Sequence, residues 1–419
     1  MRFKIILPVL LLSFLMITGN MFARKLSKIN IAQLYDENNF SFFQAVIYHK
    51  SDSVSQVYVS LNPDDFRFLG NRDSKIIRAN IEVRYELYQS WESSIILDSA
   101  TIKVTDTSSY GKGLEMIVDF EVKATFPGNY ILKIILIDLN IGKDNEIFRF
   151  FNLEKSKKNS RQNFLVTDSD GYPVFNSSIQ PGQYFHILYN DTSVDKLFIR
   201  YYDQSFPLAK PPFANVREVT YKFKPDSILS TDLIRGYSPL LELSHRGIYH
   251  IQPDLTKPYG LTLYFFDDGF PEIATPASAI APLRYLTTSK EFNKLLSYSD
   301  YKTAIDSFWL ERASNQTERA KNMIKRYYSR VQNANLLFSS FVEGWKTDRG
   351  LIYIIYGPPT EVYRKKDEVE WVYGKSGNPL SIIFHFYKVD NPFTDNDYSL
   401  SRSSEYKNSW YIAIDNWRR

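Results

Sequence analysis

Asp348 and Arg349 stand side by side within Gly344-Trp345-Lys346-Thr347-Asp348-Arg349-Gly350, an acid and a fixed cation preceded by a large ring and flanked by glycines. As chemistry, the pair offers a carboxylate for acid–base work and a guanidinium to clamp an anion, with Trp345 as a pocket wall. Glu370 is a further carboxylate that a polymer hydrolase could recruit. The same residues have a plainer use. Gly344 would permit an unusual backbone angle, Trp345 would plug a core, and Thr347 or Asp348 would accept main-chain amides ahead of a strand from Leu351 to Tyr356. Single carboxylates in turns are far more often structural than catalytic, so the structural use is the expectation.

Other chemistries find less support. The chain has no cysteine, which excludes disulfides, thiol nucleophiles and thiolate metal sites. Gly374-Lys375-Ser376 has the form of the end of a phosphate-binding loop. Val369, however, occupies the place of its first glycine, and a strand follows where a helix is needed. The histidines at 49, 186, 245, 250 and 385 are scattered. His245 and His250 are five apart and face opposite sides of a strand, so they cannot share a metal. His385 alternates with Ile383 and Tyr387 on the less buried face of a strand, as an ordinary sheet histidine does. Asp168-Ser169-Asp170-Gly171 and Asp395-Asn396-Asp397 lack the remaining ligands of a calcium loop and read as turns. No metal site and no cofactor are expected. From Arg312 to Arg330 there are six basic residues against one acid, Glu318. A solvated helix face explains this run more simply than an acidic partner or anionic lipid.

The elements that must position these residues fall into blocks. At 419 residues the chain is too long for one ordinary core. Ala79, Ile81, Val83, Tyr85 and Leu87 alternate with polar neighbours, and Leu114, Met116, Val118, Phe120, Val122 and Ala124 alternate again. This pattern predicts antiparallel strands with one buried face, a first β-sandwich-like domain over residues 27–154. Lys155 to Gln162 reads as a basic linker. A second β-sandwich-like domain is expected over 163–268, where Gly247-Ile248-Tyr249 echoes Gly128-Asn129-Tyr130 as a weak internal repeat. Gly269 to Pro282 reads as an extended connector. Then the period changes. Thr288 and Glu291 form a capping box. Ala304, Ile305, Phe308 and Trp309 make one helical stripe, and Ala320, Met323, Ile324, Tyr327, Val331, Ala334 and Phe338 another. Strands follow at Leu351–Tyr356, Glu368–Tyr373, Leu380–Tyr387 and Trp410–Ile414. The expected architecture is multidomain, with a C-terminal α+β domain over 283–419, helices then antiparallel sheet.

Met1 to Ala23 has the parts of an export signal: Arg2 and Lys4, the apolar run Ile5 to Ile17, then the small or polar Thr18, Gly19 and Asn20, and Ala23. No later run is apolar enough to span a membrane as a helix. The formal charge is only +4, half of it from Arg2 and Lys4, which argues against a nucleic-acid partner. Export without disulfides fits a bacterial envelope: periplasmic, outer-membrane-associated or secreted.

The segment Gly344-Trp345-Lys346-Thr347-Asp348, with Arg349-Gly350, Ile352-Tyr353-Ile354 and Tyr356-Gly357-Pro358-Pro359, resembles the GWxTD domain family of bacterial proteins. Pro282-Leu283-Arg284-Tyr285, Phe308-Trp309, Tyr327-Tyr328 to Asn335, and Glu370-Trp371 with Tyr373 extend the resemblance over roughly Leu283 to Arg419. Leu351 stands where a basic residue is common in the family, and Thr360 where an acid is common. The resemblance implies an exported protein. It implies no reaction, so no catalytic residue is carried over. The combined expectation is a non-enzymatic interaction or assembly module whose partner is another envelope protein or a polysaccharide. The alternatives are an envelope-polymer hydrolase using Asp348 and Arg349, or a carbohydrate-binding protein.

Overall fold

The structure is a computed structural model that describes residues 5–7, 25–36, 43–70, 77–108, 116–142, 145–203, 205–215 and 223–419. Apart from the backbone of Ile5–Leu7, the expected export segment Met1–Ala23 lies outside the described residues, as does Leu114. The chain is mostly β-strands in several sheets, with its α-helices gathered at the C-terminal end.

The first block holds two sheets. One orders Ile5–Leu7, Met116–Lys123, Val54–Leu61 and Gln44–His49; the other is built around Ile77–Tyr88, which pairs antiparallel with both Ile96–Ser108 and Asn129–Asp138. The predicted alternation holds: Ala79, Ile81, Val83, Tyr85 and Leu87 are all buried, and their side chains join Val57, Val59, Val118 and Val122 of the other sheet in one core. The second block pairs Ser227–Asp232, Lys196–Tyr202, Gly247–Gln252 and Leu261–Phe265 in that order, beside the hairpin of Phe164–Asp168 and Phe185–Tyr189. The Gly-x-Tyr echo has a structural counterpart. The Tyr130 hydroxyl donates back to the carbonyl of Thr125 at 2.8 Å, and the Tyr249 hydroxyl to that of His245 at 2.8 Å. The basic segment between the blocks is tied down: Lys155 is buried and donates to the Ser51 carbonyl at 2.7 Å, while Gln162 exchanges hydrogen bonds with Asn152 and Glu154.

Three expected elements differ. The stretch read as an extended connector contains a helix, Pro276–Ile280, because Thr275 and Ser278 close a capping box around Pro276 at the first helical position. Leu351–Tyr356 is not a strand but most of a helix, Asp348–Tyr356. Its residues are buried all round, so the run carries no helical period, and a short apolar run cannot be typed by period alone. Trp410–Ile414 belongs to a closing helix, Tyr406–Arg418, whose buried residues Trp410 and Trp417 lie seven apart. The sheet Glu361–Arg364, Glu368–Tyr373, Ile382–Lys388 and Tyr398–Leu400 runs in sequence order and antiparallel. Helices therefore both precede and follow it.

The helices predicted from stripes are present: Ser289–Leu296, Tyr301–Arg312 and Thr317–Phe338. Thr288 and Glu291 make the expected capping box. Trp309, Tyr327, Val331 and Phe338 are fully buried against the sheet residues Trp371, Phe384 and Phe386. A segment distant in sequence completes this core. Ile31 and Tyr35 are buried in it, Tyr35 stacks on Phe338 at 5.9 Å, and its carbonyl accepts the Tyr353 hydroxyl at 3.0 Å.

Candidate functional site

The block Gly344–Gly350 forms a 3-10 turn, Gly344–Lys346, running into the helix Asp348–Tyr356. Thr347 is the N-cap: its hydroxyl oxygen accepts the Gly350 amide at 3.0 Å, satisfying a donor the helix start would leave unpaired. Gly344 does not serve through an unusual backbone angle, as the sequence suggested. A Cβ there would overlap the Ala334 carbonyl, and one at Gly350 would overlap the Gly344 carbonyl. The two glycines let this turn lie directly on the long helix. Gly357 ends the motif helix at φ 87°, and Pro358 follows, a residue that cannot continue it.

Trp345 is 6% exposed. Its amide donates to Asn335 Oδ1 at 3.1 Å, its carbonyl accepts the Tyr285 hydroxyl at 3.0 Å, and its ring meets the Tyr285 ring edge-on at 5.9 Å. The seam it closes is between helices, not between helix and sheet. Burial, helped by the nearby charge of Asp348, pushes the Tyr285 hydroxyl well above its ordinary pKa, so it serves here as a neutral donor. Tyr356 packs on Phe384 and Tyr373 at 5.1 and 5.4 Å and shares a hydrogen bond with Ser409.

Asp348 and Arg349, adjacent in sequence, point into different surroundings. Asp348 accepts the Leu400 amide at 2.8 Å and takes a forked ion pair from Arg402, whose Nη1 lies 3.0 Å from Asp348 Oδ2. The two side chains are 12% and 13% exposed. Arg402 also reaches the Lys210 carbonyl, so this carboxylate anchors a clasp joining the motif helix, the last strand and the second block. Arg349 is buried. It donates to the carbonyl and side-chain oxygens of Asn396 at 2.9 and 2.7 Å and lies 4.1 Å from the Tyr398 ring centre. Burial works against its charge and lowers its pKa; hydrogen bonds and aromatic faces stand in for water. Both functional groups of the motif are engaged within the protein.

Glu370 does not join them. Its strand neighbours Val369 and Trp371 enter the core, while Glu370 faces the other way, opposite His385. There the structure assembles a group that sequence reading missed. Glu368, Glu370 and His385 offer ligand atoms all within 4.8 Å of one another, a set able to hold a metal ion. His385 Nδ1 lies 2.9 Å from Glu368 and 3.8 Å from Glu370. A hydrogen bond from Lys365, outweighing partial burial, holds the Glu368 carboxyl below its ordinary value. The lysine and histidine together already satisfy that carboxylate. The Glu-x-Glu spacing was visible; the register placing His385 opposite was not. Asp168 accepts the amides of Asp170 and Tyr172, as a turn residue does, while Asp397 accepts from the Asn391 side chain at 2.9 Å, outside its own segment.

The histidines at 49 and 250 are buried in polar contacts, His49 with Ser55 and His250 with Thr262. Burial lowers both to about 4 and keeps them neutral. Among the described residues, no helix is long and apolar enough to cross a membrane.

Residues 247–419 match the family model of the GWxTD domain. The match starts at Gly247 and takes in two strands of the second block. No curated protein matches the chain. Among solved structures, a transglutaminase of red sea bream is similar at 10% identity and a TM-score of 0.19; the alignment covers 54% of this chain and 31% of that one.

Proposed function

We propose, with the GWxTD-domain match of residues 247–419 as premise, that the protein is a non-enzymatic interaction or assembly module of the bacterial cell envelope, exported by its N-terminal segment. The observation that carries this reading is the state of the motif. Asp348 is locked by Arg402 and the Leu400 amide, and Arg349 by Asn396 and Tyr398. A general acid or base must reach a substrate proton, and an anion clamp must present its fork to a ligand. Neither group is placed to do so, and Glu370 faces away from both. In this reading the two β-blocks are sandwich-like modules, a view supported by the shared core of the first block and by the paired tyrosine bonds of Tyr130 and Tyr249.

A surface suited to a protein partner supports the same reading. Among the described residues Ser227–Asp232 is one edge strand of its sheet, and it exposes Ile228 and Leu229 at 51% and 57%, with Ile234 at 78% close by. An apolar strand edge with unpaired amides is a ready site for strand addition by a second chain. The test is co-purification from envelope extracts using the mature full chain, beside an Ile228→Lys/Leu229→Lys variant that melts like the parent. The reading expects an envelope protein retained by the parent and lost by the variant. Retention of a polysaccharide instead, unaffected by the variant, would refute it.

A further inference from the structure

The basic run Arg312–Arg330 divides in the structure. Arg312 turns to Glu291, which also receives Arg418. Arg319, Arg326 and Arg330 stay together, because positions separated by seven and four fall on one stripe of the helix Thr317–Phe338. That stripe faces the closing helix Tyr406–Arg418 across a cleft of about 560 Å³, within the range of small-molecule sites. Its walls include Met323, Tyr356 and Trp417. The guanidinium groups of Arg326 and Arg330 each lie 5.3 Å from the Trp417 ring centre; Arg326 is exposed, while Arg330 is buried and also donates to the Ile354 carbonyl at 3.3 Å. Arg319 donates to the backbone oxygen of Arg419, and the Arg419 side chain pairs with Asp415. No aspartate or glutamate is among the described residues that line the cleft.

We infer that this cleft binds a phosphate-bearing ligand. Arg319 and Arg326 are exposed on the cleft, and an anion there would accept charge-assisted hydrogen bonds from them. Guanidinium forks match phosphate oxygens in pairs. A phosphate monoester or diphosphate carries about two negative charges near neutral pH, which suits more than one arginine where a single carboxylate would not. The Trp417 and Tyr356 rings with Met323 offer an apolar wall for the rest of the molecule. The cleft is far in the chain from the edge strand Ser227–Asp232 and does not depend on it.

The test is calorimetric titration of the mature full chain with pyrophosphate, and with phenyl phosphate to probe the apolar wall. Saturable binding is expected, weakened by rising salt. Arg326→Ala should weaken it at least about tenfold, with Arg326→Lys intermediate because charge remains without the fork. Arg326 is exposed, so the variant should melt like the parent; Arg319→Ala provides a second, independent probe. Lys325→Ala, exposed on the same helix but outside the cleft, should leave binding unchanged. Absence of saturable heat at millimolar pyrophosphate would overturn the inference. So would equal weakening by Lys325→Ala and Arg326→Ala, the mark of diffuse charge. Vesicles bearing a phosphomonoester headgroup separate the sources: sedimentation competed by pyrophosphate points to a lipid headgroup, and pyrophosphate binding without sedimentation points to a free phosphate compound.

Discussion

Replacing Asp348 by Asn tests the motif with almost no change of shape. The asparagine oxygen can still accept the Leu400 amide, so that bond at 2.8 Å survives. What disappears is the negative charge facing Arg402, whose side chain is only 13% exposed. Removing one member of a buried pair strands the other, at about 3–5 kcal/mol. Arg402 keeps contacts with the carbonyls of Leu400 and Lys210, which places the expected loss near the lower end, about 3 kcal/mol. A charge-free cap would lose only about 1 kcal/mol, so the two roles separate. The assay is urea unfolding of the chain from Arg24 onward, followed by tryptophan fluorescence. Five of the six tryptophans lie at or beyond position 309, so the signal reports this domain. Arg402→Met should cost a similar amount. The double variant Asp348→Asn/Arg402→Met should cost much less than the two single losses combined, since no charge is left stranded. An Asp348→Asn protein as stable as the parent, with no coupling in the cycle, would refute the reasoning.

Further outcomes follow from the same structure. Trp345→Ala should destabilise the domain by about 3–5 kcal/mol in the same unfolding assay, the range for truncating a buried aromatic. Gly350→Ala should cost about 3 kcal/mol, the upper end for overpacking, and lower soluble yield, because the added methyl meets the Gly344 carbonyl and backbone must move. Thermal melts against pH should show two acid limbs. His49 and His250 sit at about 4 when folded against 6.5 ordinarily, so their contribution is full above 6.5 and declines as pH falls toward 4; His49→Gln should flatten this limb. At Glu291 partial burial opposes ionisation, but bonds from Arg418 and Thr288 outweigh it and hold the carboxyl at about 2. Its contribution is full above its ordinary 4.5 and declines as pH falls toward 2, a limb that Glu291→Gln should remove.

What the sequence disclosed was local. The strand Ile77–Tyr88 was legible because each residue's face follows from its neighbour's. The capping box at Thr288 was legible because both partners lie within three residues. The motif helix was misread although its signals were present, Thr347 as N-cap and Gly357 beyond the end. Continuous burial from Arg349 to Ile355 erased the period that marks a helix. In the closing helix the stripe Tyr406, Trp410, Ala413 and Trp417 shows only over a window longer than the strand-like run Trp410–Ile414. The partner of Asp348 lies 54 residues away, and His385 reaches Glu370 only through strand register. Neither leaves a trace in local pattern. The burial of Ile31 and Tyr35 in the C-terminal core is of the same kind.

The most direct test of the central claim compares partner capture by the parent and by Asp348→Asn, both from Arg24 onward, at a temperature where unfolding curves show both fully folded. If the motif builds the domain and does not form the working site, both proteins retain the same envelope partner in equal yield per folded molecule. A folded Asp348→Asn protein that captures nothing, or that loses an envelope-polymer cleavage shown by the parent, would contradict the account and move the site to Asp348.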